Sequence, residues 1–364
     1  MPFRSLFFVF ISLIVLSCSI KPGSITKMHR AGIPTQQKNF VDTLRSQGNQ
    51  EARATYLGCG GLLLQKGNDA ILIDPFFSNQ KTGKIGRSVF LGRSGKAVIH
   101  PDKKMVELGL ATVRENLGTG KVHAIVSAHS HYDHLMDVPL VYEYFKKEPK
   151  LLLTRSGYNI IHNTVDSADV VLSEDLDQYT DPKPFEISTS TGSIRIYPIR
   201  ADHNPHFRHV KFFSGAQLQP VNDLSDATAK TKANLWLEGN TFSFLVDFVG
   251  SDGSIEFRAF IQSSSCNPPA GIPPAKLLTR PIDVAFIGVV SYQFSPGYPC
   301  ELLNAITPRK VVWIHWEDFF RRYDRKPKTV RGTDIPAFFS IPCVSSRKNS
   351  DKILWPRVNM KLVY

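Results

Sequence analysis

One stretch constrains this chain more than any other: Ser127-Ala128-His129-Ser130-His131-Tyr132-Asp133-His134. It follows the apolar run Ala124-Ile125-Val126, which reads as the end of a buried strand. Imidazoles and a carboxylate therefore crowd together where a strand gives way to a loop. Neutral imidazole is the commonest metal ligand, and carboxylate oxygen frequently accompanies it at zinc. His129 and His131, two apart on a loop, can turn inward together. Asp133 and His134 are adjacent, face different ways and can serve a second centre. With 11 histidines in 364 residues, chance gives this spacing on the order of once in a thousand chains.

The rest of the sequence supports a folded enzyme-sized chain. Hydrophobic residues make up 42% and charged residues 21%, enough for a substantial core. The net charge of +12 raises a nucleic-acid partner. The basic residues are scattered, however, with short clusters such as Lys146-Lys147 and Arg321-Arg322 and no dense basic helix, which argues against it.

The N-terminus reads as an export signal. Arg4 precedes the apolar run Leu6 to Leu16, which is shorter than the roughly 20 residues of a spanning helix. Val15-Leu16-Ser17-Cys18 resembles a bacterial lipoprotein signal, with Leu16 as a departure, and implies lipidation of Cys18. The alternative is an ordinary signal with an incidental cysteine. The expected layout is a signal over 1–18, a polar tether over 19–53 and one domain over 54–364, less regular from about 321. That layout implies a bacterial envelope protein held to a membrane by its lipid, or else one secreted or periplasmic. Cys59, Cys266, Cys300 and Cys343 then remain, as disulfides in one of three connectivities or as buried thiols.

Along the chain, Thr55-Tyr56-Leu57, Leu62-Leu63-Leu64 and Ala70 to Ile73 predict an antiparallel meander, its first turn rich in glycine (Gly58, Gly60, Gly61). Residues 76–100 read as a long loop. Asp102 to Asn116 has helical spacing through Met105, Leu108 and Val113. Val122 to Val126 predicts a strand. A helix follows from Val138 to Lys147, with Pro139 in its first turn and Asp137 as its cap. Further strands fall at Leu151 to Leu153, Asp169 to Leu172, Ile194 to Ile199, Phe242 to Phe248, Ile255 to Ile261, Asp283 to Val290 and Lys310 to Ile314. The alternation is that of a layered α/β fold. His203 and His315 each stand just after one of these strands, as His129 does. Strand ends in such folds meet in a common crevice.

His129-Ser130-His131-Tyr132-Asp133-His134, with Asp74, His203 and His315, resembles the signature of the metallo-β-lactamase fold superfamily over about 56–320. Ile73-Asp74-Pro75-Phe76-Phe77-Ser78 and Trp313-Ile314-His315-Trp316 further resemble its N-acyl-phosphatidylethanolamine-hydrolysing phospholipase D branch. The resemblance implies a four-layer αβ/βα sandwich. It implies one zinc on His129, His131 and His203 and a second cation on Asp133, His134 and His315, with Asp74 as a structural aspartate; manganese, iron or nickel would also suit such ligands. It implies a hydrolase in which metal-activated hydroxide attacks an ester, with a phosphodiester or phospholipid-type bond as the preferred target. Asp133 would be a ligand or orient the water. One departure stands out. Where the family has a bridging aspartate, this chain reads Gln262-Ser263-Ser264-Ser265, so Ser263 and Ser264 occupy the bridge position. One tight metal, or two with a neutral bridge, is therefore expected. The rival readings are a non-catalytic metal-binding lipoprotein with a degenerate second site, and a nucleic-acid hydrolase.

Two weaker features bear on substrate. Phe76, Phe77, Phe207, Phe212, Tyr292, Phe294, Tyr298, Phe319 and Phe320 lead from the ligand-bearing strands and could line an apolar pocket, although aromatic residues mostly fill cores. Arg208, Arg321 and Arg322 could hold a phosphate, or be solvated surface charges. His206 and His209 lie near His203 and carry a weaker claim to function.

Overall fold

Two runs of strand-forming sequence, one in each half of the chain, form separate sheets in this computed structural model, each of seven strands once a strand from the C-terminus joins the first. The structure describes residues 51–91, 98–178, 180–206, 210–346, 353–354, 356 and 358–364. Cys18, the signal, the tether up to residue 50, and Phe207, Arg208 and His209 lie outside the described residues.

The first half runs β1 (Ala52–Gly58), β2 (Gly61–Lys66), β3 (Asp69–Ile73), α1 (Thr82–Leu91), α2 (Lys103–Leu117), β4 (Lys121–Val126), α3 (Tyr132–Leu135), α4 (Val138–Tyr144), β5 (Lys150–Leu153), α5 (Arg155–Ile161), β6 (Val170–Leu172) and α6 (Ser173–Leu176). The second runs β7 (Phe185–Ser188), β8 (Gly192–Ala201), β9 (Thr241–Gly250), β10 (Ile255–Gln262), β11 (Val284–Gly288), α7 (Cys300–Ile306), β12 (Lys310–Ile314), α8 (Ile335–Ser340), α9 (Pro342–Ser345), β13 (Ile353–Leu354) and β14 (Met360–Val363). Each half is an antiparallel meander that continues into parallel strands. β1–β2–β3 are antiparallel and β3–β4–β5–β6 parallel. β7–β8–β9–β10 are antiparallel and β10–β11–β12–β13 parallel.

Period-two alternation assigns the faces. Leu62, Leu64, Ile71, Ile73, Ala124 and Val126 point to one side of the first sheet, where they meet Phe242, Phe244, Val246 and Phe260 of the second. Leu63, Leu72, Val122, Ile125 and Leu151 point to the other side, toward Met105, Leu110 and Val113 of α2 and Val138 and Val141 of α4. Leu302, Leu303 and Ile306 of α7 and Phe338 of α8 belong to the second sheet's core. The layers are helix, sheet, sheet, helix, the αβ/βα architecture expected.

Several local expectations change. The 76–100 stretch contains α1, which Gly83 and Gly86 disguise by their poor helix propensity. On α2 the buried stripe is Met105, Val106, Gly109, Leu110, Val113 and Leu117. Leu108 instead is 45% exposed, because Gly109 turns toward the core. Asp137 precedes α4 without capping it; its Oδ2 accepts from Phe77 N and Ser78 N, 2.7 and 2.8 Å away. β1 begins at Ala52. The C-terminal stretch is more regular than its prolines suggest. Pro336 and Pro342 sit in first helical turns, where a missing N–H costs nothing. Beyond them β13 joins β12, and β14 joins β1. Cys300 and Cys343 form the disulfide, tying α7 to α9, while Cys59 and Cys266 are buried thiols.

Candidate metal centre

The topology brings the histidines together. β8 runs antiparallel to β9, and β9 antiparallel to β10, so β8 points the same way as β10, β11 and β12. β3 and β4 are likewise parallel. The C-terminal ends of these strands deliver Asp74, His129, His203, Ser263 and His315 to a common edge, as layered α/β sheets do.

At its centre, His129 Nε2 and His131 Nδ1 face each other across 2.9 Å. The His203 ring centroid lies 4.9 Å from that of His129 and 4.7 Å from that of His131. One nitrogen from each of the three falls within 4.8 Å of the others. His203 Nδ1 donates to the Asn204 carbonyl at 2.8 Å, which leaves the Nε2 lone pair free. Burial, and then the charge of neighbouring imidazoles, holds His129 and His131 well below the usual histidine range. Burial does the same for His203 and His315. These rings are neutral at pH 7, so they present lone pairs. His129 Nδ1 has no hydrogen-bond partner among the described residues, a cost for a buried ring. Neutral imidazoles converging on one point suit a divalent cation.

A second cluster adjoins it. Asp133 Oδ2 lies 3.8 Å from His315 Nε2 and 3.8 Å from His134 Nε2. His134 differs electrostatically from the other rings. Burial disfavours its charge, but Asp74, whose Oδ2 is 3.0 Å from His134 Nδ1, and Asp133 outweigh that and raise its pKa. Asp74 also accepts from Ala128 N at 2.8 Å and from Ser263 Oγ at 2.6 Å, fixing the loop that carries His129. Ser263 is therefore turned to Asp74. Asp247 is paired with Arg258, and Asp283 with Arg280 and Arg309, so neither replaces a bridging acid. Ser264 is 9% exposed, and its carbonyl accepts from Gln262 Nε2.

Two residues complete the surroundings. His206 stacks on His203 with centroids 4.8 Å apart, and burial first, then Lys211, lowers its pKa to about 4. Its Nδ1 accepts from Phe212 N, so Nε2 carries the proton. Cys59, in the β1–β2 turn, places Sγ 3.7 Å from Asp133 Oδ2 and 3.9 Å from His315 Nε2. The sequence leaves Cys59 open between a disulfide and a buried thiol; it is a buried thiol. The available signal was a non-glycine residue held between Gly58 and Gly60.

The aromatic residues divide. Phe319 packs against His315 at 5.1 Å and Phe76 against Tyr132 at 6.1 Å between centroids. Phe213, which was not anticipated, packs against His131 at 6.2 Å. Tyr292 and Tyr298 are buried in the second sheet's core. Arg321 and Arg322 line a small cleft beside Cys59 with Arg325, Phe76 and Tyr323.

No family model and no curated protein matches the sequence. Solved structures do resemble the fold. A metallo hydrolase from the hyperthermophilic archaeon Ignicoccus hospitalis shares 14% identity over 86% of this chain and 98% of its own, with a TM-score of 0.47. A possible metal-dependent hydrolase from Veillonella parvula shares 13% over 86% and 99%, with a TM-score of 0.47. An isothiocyanate hydrolase from Delia radicum gut bacteria shares 14% over 86% and 99%, with a TM-score of 0.43. Such distances carry no activity across to this chain.

Proposed function

We propose that this chain is a metal-dependent hydrolase acting on an ester, with a phosphodiester as the preferred bond. The observation that carries the reading is the convergence of buried His129 and His131 with half-buried His203, all three neutral, beside Asp133, His134 and His315. The first three would hold one cation and the second three another. Such a cation supplies Lewis acidity, lowering the pKa of water and polarising a carbonyl or phosphoryl oxygen. The protein's own part is to position and to exclude water. Asp74 locks the His129 loop and His134. Asn204 sets the His203 tautomer. Phe213 and Phe319 wall the centre. Asp133 would hold the second cation; orienting the attacking water is its role only in a centre where it is not a ligand.

The phosphodiester preference is supported by Arg321, Arg322 and Arg325 at the adjoining cleft. Guanidinium forks suit phosphate oxygens, although Asp324 already pairs with Arg322. We further propose export to the envelope, with Cys18 as the lipid attachment. The Cys300–Cys343 disulfide is consistent with an oxidising compartment.

The test is elemental analysis of purified protein, followed by assays of zinc-loaded and chelator-stripped samples on phosphodiester, phospholipid, carboxylic ester and β-lactam substrates. Turnover that chelator removes and zinc restores is the expected result. Stoichiometric metal with no turnover of any class would favour the binding-protein reading that the serine at the bridge position suggests.

A further inference from the structure

The turn between β1 and β2 is built against its own backbone preference. Gly58 and Gly61 pair across it, leaving Cys59 and Gly60 as a two-residue loop. Both have positive φ, +50° for Cys59 and +79° for Gly60. That is the conformation of a primed hairpin turn, in which asparagine, aspartate or glycine is favoured at the first position. A cysteine there is held in the left-handed region, which costs L-residues energy. Such conformations persist where surrounding structure enforces them, and they cluster at functional sites. His315 and Asp74, two further residues of the centre, are also at positive φ, +54° and +44°.

The enforcing structure is visible. Glu317 accepts from the Cys59 backbone N–H and, with its other oxygen, from the Tyr56 hydroxyl. Tyr56 in turn accepts from His315 N at 2.7 Å. One carboxylate thus fixes the cysteine turn and the His315 strand end together. The result is three donor atoms at the corners of a nearly equilateral triangle. Its edges are 3.7 Å from Cys59 Sγ to Asp133 Oδ2, 3.9 Å from Cys59 Sγ to His315 Nε2, and 3.8 Å from His315 Nε2 to Asp133 Oδ2. The centre of such a triangle is roughly 2.2 Å from each corner, within the range of zinc bonds to sulfur, nitrogen and oxygen. All three residues are buried, and His134 Nε2 stands 3.8 Å from the same Asp133 oxygen as a further donor.

We propose that Cys59 is a thiolate ligand of the second cation, joining Asp133 and His315, and that it supplies the negative charge which Ser263 does not. The inference rests on the metallo-hydrolase reading above and sharpens its second site. On binding, the Sγ–H bond breaks, its proton passes to solvent, and the sulfur electron pair forms the bond to the metal. No oxidant or reductant is involved. A thiolate makes the site softer than a carboxylate bridge would, favouring zinc or cobalt over manganese and magnesium. The second site is then charge-compensated, and a weakly held second ion is no longer the expectation.

Cobalt loading of the full chain tests this. The wild type is expected to take up two equivalents and to show a thiolate-to-cobalt charge-transfer band in the near ultraviolet. Cys59→Ser should lose the band and weaken the second equivalent by at least about tenfold, while keeping the visible spectrum of the histidine-bound ion. Cys266→Ser should retain the band. Cys59→Asp, compatible with the turn, should lose the band yet recover the second equivalent, which covers the case in which the serine variant fails to fold. A wild type that binds two equivalents without the band, or a band that survives in Cys59→Asp, would overturn the thiolate assignment alone. A wild type that binds no cobalt would overturn both it and the reading on which it rests.

Discussion

Asp137 carries a carboxylate into a place where it meets backbone amides and no counter-ion among the described residues. Burial pushes its pKa up to about 6, against the hydrogen bonds from Ser78 and Phe77, which pull it down. The folded carboxyl thus keeps its proton to higher pH than the unfolded one, near 4. Between these values the folded state binds more protons, so stability falls as pH rises from about 4 to 6, and the full penalty stands above that. The shift corresponds to about 3 kcal/mol at most. Asp137→Asn, whose amide oxygen can accept both bonds, should remove this dependence and be at least as stable as wild type at pH 7.5. Urea unfolding of both proteins across pH 4 to 8 reads it directly; a stability gap that does not change with pH would contradict it. At the metal centre the two neighbouring histidines should separate. His203→Ala should weaken the first metal equivalent by more than the roughly 10–100-fold of an outer-shell change. His206→Ala should leave that equivalent within a few-fold of wild type, because the His206 nitrogen facing Phe212 is already committed. Competition with a chromophoric chelator measures both.

Among the elements, α2 depends on Gly109. A Cβ built there would lie 2.1 Å from Phe77 Cδ1. Phe77 is fully buried and its backbone N–H is held by Asp137, so it has little room to retreat. Gly109→Ala should therefore destabilise by roughly 1–3 kcal/mol, reversing the gain alanine usually brings to a helix. A thermal melt that rises instead would show that the Phe77 ring repacks. The disulfide acts on the same layer of the opposite sheet. It joins α7 to α9 across a sequence separation of 43, closing a loop that includes β12 and His315. On the chain-entropy account, such a loop contributes on the order of 4 kcal/mol. Replacing Cys300 and Cys343 by serine should lower the melting temperature substantially while leaving the metal stoichiometry of the folded protein intact. Calorimetry with parallel elemental analysis distinguishes a purely structural bond from one that holds His315 in place.

Across the whole molecule, the ligand-type residues and the layered architecture were legible because they follow strands with clear period-two or continuous apolar patterns. His129, His203 and His315 each end such a run, and the crevice rule then places them together. What escaped was long-range. The partners of Cys59 lie 74 and 256 residues away, and Glu317, which fixes its turn, is 258 residues away. No local pattern announces a pairing of that kind. β13 and β14 escaped because a short edge strand needs only its neighbour and carries little periodicity of its own. The last of these has structural weight: β14 covers the free edge of β1, and Asn359 N donates to Tyr56 O. Removing residues 351–364 should leave β1 as an open edge, promote self-association visible by size-exclusion chromatography, and loosen the second metal through Tyr56.

Tyr364 N donates to Ala52 O, so the chain enters and leaves the first sheet at one corner. Cys59 is at the far end of the same strand, roughly 20 Å away at the rise of an extended chain. An anchor at Cys18, as proposed above, would therefore join the molecule through the end of β1 opposite Cys59. With the chain tethered to vesicles through its N-terminus, a water-soluble phosphodiester should therefore be hydrolysed at the rate of the untethered protein, because the attachment joins β1 at the end away from Cys59.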